Sequence, residues 1–120
     1  MAHLSIAAGI LHIRLGGFDR ILALTGELTV PLAHVTAVSA RPPEAHAWFH
    51  GLRVTGTALP GVVAAGEFLT AAGLVFFDVH QPDQTIALDV AHDEYRRIIV
   101  QVDETPEAAV ARIQAALQPG

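Results

Sequence analysis

Most of this chain alternates apolar and polar residues one for one, and only its last segment does not. Leu11, Ile13 and Leu15 alternate with His12 and Arg14; Leu28, Val30 and Leu32 follow the same rhythm. Ile86, Leu88 and Val90 alternate with Thr85, Ala87 and Asp89, and Ile98, Val100 and Val102 with Arg97, Ile99 and Gln101. A period of two sends successive side chains to opposite sides of an extended backbone, so such runs bury one face only as strands. Segments 18–25, 35–41, 52–55, 67–70 and 74–79 also read as extended, and 45–50 as a helical turn or loop. Gly16-Gly17, Gly26-Glu27, Pro42-Pro43, Pro60-Gly61 and Gln81-Pro82-Asp83-Gln84 supply turns between them.

The period changes at residue 105. Thr105-Pro106-Glu107 offers an N-cap, a proline at the first helical position and an acid in the first turn. Ala109, Val110, Ile113, Ala116 and Leu117 then recur at helical spacing, predicting one amphipathic helix over 105–118 whose stripe buries against the strands. The chain is thus expected to be mainly β, one domain over 1–120, with about seven strands in two packed antiparallel sheets capped by that helix. This layout matches a pleckstrin-homology-like barrel.

Composition narrows the function. Apolar residues make up 52% of the 120 and the mean hydropathy is +0.43, a membrane-leaning balance. Twenty-one of those residues are alanine, however, and Pro, Gly, Thr or His interrupts the charge-free stretches, so no spanning helix is expected. The apolar start has no arginine before it, so no leader peptide is expected and the protein is placed in the cytoplasm. Without cysteine there is no disulfide, thiolate zinc site or cysteine nucleophile. All seven basic residues are arginine, and without lysine there is no Schiff base and no P-loop. Residues 1–77 balance four acids with four arginines, whereas 78–120 hold eight acids and three arginines, and so the whole net charge of −5. Such a surface repels phosphate backbones, so nucleic acid is not an expected partner, and neither is an anionic membrane.

Three stretches resemble short pleckstrin-homology-like proteins of GC-rich bacteria. They are the small-residue run from Gly56-Thr57-Ala58 through Gly66-Glu67-Phe68, Leu28-Thr29-Val30-Pro31-Leu32 with Val35 and Val38, and Tyr95-Arg96-Arg97-Ile98 running into Pro106-Glu107. The resemblance covers most of the chain and implies the barrel; its motifs are structural. Phosphoinositide-binding members carry basic residues around the first hairpin, where this chain has only Arg14 and Arg20, with Asp19 beside them.

No catalytic constellation emerges. Ser5 and Ser39 lie outside any nucleophile elbow, the acids show no pairing, and 59–66 lacks a dinucleotide fingerprint. The expectation is a non-enzymatic binding or scaffold module, without cofactor, that contacts a protein or a second copy of itself. Trp48 and Phe76 are its candidate contacts, with an exposed strand edge as the other route. A second possibility is a metal or small molecule held by Glu44, His46 and His50, two imidazoles four residues apart. A third is an anionic ligand or lipid on Arg14, Arg20 or Arg53, since a guanidinium grips carboxylate or phosphate at two points. The remaining histidines read as surface strand residues, and Arg96-Arg97 as part of a local ion-pair network with Asp93 and Glu94.

Overall fold

Ala8 and Gly9 both sit at positive φ, 53° and 76°. Two consecutive left-handed residues make a type I′ turn, whose twist suits paired strands. They close a hairpin between β1 (Ala2–Ala7) and β2 (Ile10–Leu15), with Ala7 opposite Ile10 and Ala2 opposite Leu15. β1 is an addition to the expected strands. Ala2, Leu4 and Ile6 alternate with His3 and Ser5, but alanine is too small to mark a face strongly.

The computed structural model describes residues 1–17, 26–46, 52–53, 56–59 and 63–117. The expected strand over 18–25 and the Pro60-Gly61 turn lie outside the described residues. β3 (Glu27–Pro31) completes a three-stranded sheet, β1-β2-β3. A 3-10 turn leads into β4 (Val35–Ala40), and a second one, Pro43–His46, precedes β5 (Leu52–Arg53) and β6 (Thr57–Leu59). β7 (Val63–Thr70), β8 (Gly73–Val79), β9 (Thr85–Val90) and β10 (Arg97–Gln101) follow, then α1 (Pro106–Leu117). The larger sheet has seven strands in the order β4-β9-β10-β8-β7-β5, with β6 also on β7. The protein is therefore mainly β with one C-terminal α-helix, and the described strands number ten, not about seven.

One pairing departs from the expected antiparallel sheets: β10 runs parallel to β8 while lying antiparallel to β9. The link from Val79 to Thr85 therefore steps across β10. Gln101 Oε1 accepts the amides of His80 (2.9 Å) and Gln81 (2.7 Å), and Thr85 Oγ1 donates to Pro82 O (2.7 Å), which fixes that crossing. Central strands of this kind are covered on both sides and read as continuous apolar runs. Leu74-Val75-Phe76-Phe77 and Ile98-Ile99-Val100 are such runs.

Both faces of the large sheet are in fact buried. Towards the small sheet, Phe76, Ile86, Leu88, Ile98 and Val100 pack with Leu4, Leu11, Ile13, Leu15 and Val30. On the opposite face Phe68, Val75, Phe77, Val79, Ala87 and Ile99 form a second cluster with Ala45. Each such aliphatic or aromatic side chain contributes about 1.5–3 kcal/mol relative to exposure.

α1 closes the first cluster with Ala109 and Ile113, and packs along β4 and β9. Thr105 Oγ1 accepts the Ala108 amide (3.2 Å), so the expected N-cap forms. Glu107 in the first turn pairs with Arg41, which lowers the Glu107 carboxyl below its usual range and raises the guanidinium. Arg112 donates to Leu4 O (3.1 Å) and ties the helix to β1. Between the sheets the described strands share one bridge, Ala2 to Val102, and they do not close into a barrel. No helix among the described residues is long and apolar enough to cross a membrane.

Candidate functional site

At the end of the large sheet where β9 passes into β10, the core borders a cleft of about 590 Å³ with a mixed polar and apolar lining. Thr36, Asp89, His92, Asp93, Arg96 and Arg97 supply its polar lining. The loop joining the strands is pinned on two sides: Val90 N–H donates to Arg96 O (3.0 Å), and Arg96 N–H to Leu74 O (2.8 Å). The opposite wall includes Ala72 of the β7–β8 turn, where Thr70 Oγ1 accepts the Ala72 amide (3.1 Å) and donates to Gly73 O (2.9 Å).

Arg96 and Arg97 have different fates. On a strand, adjacent residues face opposite sides. Arg97 lies over the second core cluster and is three-quarters buried; it pairs with Asp89 and holds Glu44 with Nε 2.6 Å from Oε2. That Nε makes no directed hydrogen bond, so the Glu44 contact is chiefly coulombic, with Nη2 to Oε1 at 3.3 Å beside it. Arg96 is exposed and, among the described residues, has no acidic partner. Its stem lies across Gly73, whose φ is +121°; a β-carbon there would come within 2.7 Å of Arg96 Cγ. Glycine thus leaves the space that the Arg96 stem occupies.

Two histidines far apart in sequence meet at the same end. The rings of His34 and His92 are 6.0 Å apart, edge to face. His34 Nδ1 is buried without a hydrogen bond, 3.9 Å from Asp93 Oδ2, while Asp93 Oδ1 accepts the Glu94 amide (2.6 Å). On the other side of the loop, Tyr95 packs against Phe76 and donates to Glu67 Oε2 (2.7 Å). Burial, and then the bond to Glu67, pushes the phenol well up. Glu94 is held above the usual carboxyl range, first by desolvation and then by the charges of Glu67 and Asp93.

The residues singled out from sequence are scattered. Phe76 is 1% exposed, so it is a core residue and not a contact; Phe77, at 2%, is buried on the opposite face because the sheet is covered on both sides. Arg14 is exposed on β2, 3.6 Å from Glu27. Glu44 is engaged by Arg97, and no group of three or more His, Asp or Glu side chains among the described residues is arranged to hold a metal. Arg20, Trp48 and His50 lie outside the described residues; His46 and Arg53 are described in backbone only. Arg96 and His92, expected from sequence in an ion-pair network with Asp93 and Glu94 and as a surface strand residue, both line the cleft, and Arg97 pairs instead with Asp89 and Glu44. The signal for Arg96 was present: two adjacent arginines entering a strand cannot both serve acids on one face.

The chain matches no family model, no curated protein and no solved structure.

Proposed function

We propose that this chain is a non-enzymatic binding module that holds an anionic group of a small ligand on Arg96. One observation carries the reading: an exposed arginine, its stem lying across Gly73, lines a cleft in which the neighbouring arginine is already neutralised by Asp89 and Glu44. The cleft volume of about 590 Å³ suits a ligand of metabolite size. A guanidinium binds carboxylate or phosphate oxygens at two points, and with charge assistance. Contact with a protein or a second copy drops to second place, because Phe76, one of its two candidate side chains, belongs to the core. The pleckstrin-homology-like likeness supports the reading only in layout, two sheets and a terminal helix, while the parallel β8–β10 pair departs from it.

Calorimetric titration with sulfate and acetate at low salt tests this. Sulfate is expected to bind, and Arg96→Ala to weaken it about tenfold, the worth of one charge-assisted hydrogen bond. Because Arg96 is exposed, the substitution should leave unfolding within about 0.5 kcal/mol of wild type. Absence of binding, or binding indifferent to Arg96→Ala, overturns the proposal.

A further inference from the structure

His92 stands in the cleft wall with its backbone left-handed, at φ 60°. Few residues with a β-carbon adopt that conformation, although histidine does so more readily than most, and glycine would serve the turn as well. The flanking backbone holds it there: Val90 N–H donates to Arg96 O at 3.0 Å and Ala91 N–H to His34 O at 2.8 Å. The turn thus places His92 in the cleft that Arg96 also lines.

We infer that His92 is the second arm of the anion site: the cleft takes a dianionic oxyanion, of the sulfate or phosphate monoester class, between the Arg96 guanidinium and the His92 imidazolium. This inference rests on the anion-binding reading of Arg96. It makes binding pH-dependent, because imidazole gains its charge between about pH 8 and 5.

The titratable and charged groups around His92 come from several elements. From the turn before β4, the His34 ring lies edge-on at 6.0 Å. From the loop itself comes Asp93, 3.9 Å from His34 Nδ1. From β9 comes Asp89 and from β10 Arg97, which neutralise each other with Glu44 on the far side of Arg97. Arg96 completes the set, and the β7–β8 turn contributes only the uncharged Ala72. His92 forms no ion pair among the described residues.

Sulfate is the probe of choice, since it stays dianionic across the range where histidine titrates. Its affinity is measured at about pH 5.5 and 8.5, for wild type, His92→Asn and Arg96→Ala. Asparagine tolerates the left-handed conformation and carries no charge, so the fold is kept. Wild type is expected to bind about tenfold tighter at the lower pH. His92→Asn is expected to lose most of that gain while keeping the Arg96-dependent binding at the higher pH. Arg96-dependent binding with no pH effect, or a pH effect untouched by His92→Asn, overturns the role of His92 alone. No sulfate binding at either pH, or binding indifferent to Arg96→Ala, removes the anion site itself.

Discussion

β9 and β10 pass through two environments within a few residues. In mid-strand, Leu88 and Ile98 face each other across the ladder and are completely enclosed. One pair further along, Asp89 and Arg97 lie opposite each other, and beyond them the chain enters the cleft loop with Arg96, Asp93 and His92. The interior stretch satisfies its backbone in ladders and its side chains by packing, so nothing chemical is left over. At the end of the sheet Asp93 and Arg96 are exposed, and among the described residues Arg96 has no acidic partner. The same two strands thus supply both the core and part of the cleft's lining.

If that division is real, substitutions on its two sides should fall into different classes. The largest effect belongs to the interior. Leu88→Ala removes a side chain with no exposed surface from the larger cluster. It should lower stability by about 3 kcal/mol in denaturant unfolding; a loss below about 1 kcal/mol would mean that this part of the sheet is loosely packed.

Gly73→Ala sits on the border. The strained φ of +121° and the 2.7 Å approach to Arg96 Cγ should together destabilise by about 1–3 kcal/mol. The same change should weaken sulfate binding, because the arginine stem must shift. A stability loss without a binding loss would separate Gly73 from the site.

The smallest effect is at the exposed acids. Folding holds the Glu94 carboxyl above its ordinary value of 4.5, so its protonated form is favoured in the folded state. Its stabilising contribution is present below that value and is lost as pH rises through the folded one. Glu94→Gln should therefore raise stability at neutral pH by less than about 0.5 kcal/mol, and have no effect once the medium is acidic enough to protonate the carboxyl. Glu107 runs the other way: Arg41 lowers its carboxyl, so its contribution is present above 4.5 and is lost as pH falls through the folded value. Thermal midpoints against pH for Glu94→Gln and Glu107→Gln should bend in opposite senses.

Much of the fold was legible before any coordinates. Ile86-Ala87-Leu88 alternation marked β9, Thr105-Pro106-Glu107 marked the start of α1, and Pro42-Pro43 marked the end of β4. These are local signals, set by the backbone geometry of one element. β1 escaped because its apolar face is partly alanine, and the parallel β8–β10 pair because strand order is decided by partners distant along the chain. The site was less legible still. Glu44 is separated from Arg97 by most of the large sheet's sequence, and His34 from His92 likewise, so no spacing rule could bring them together.

By itself the sequence determined that this is a cysteine-free, lysine-free, mainly β chain ending in one amphipathic helix, because period, caps and composition act within a few residues. Only the tertiary structure decided that Phe76 and Phe77 are both core, that Arg97 is neutralised, and that Arg96 and His92 share a cleft. Those outcomes depend on which surfaces end up covered. Coverage is a property of the packed sheets, and an alternating pattern cannot say whether a strand's second face meets water or another layer.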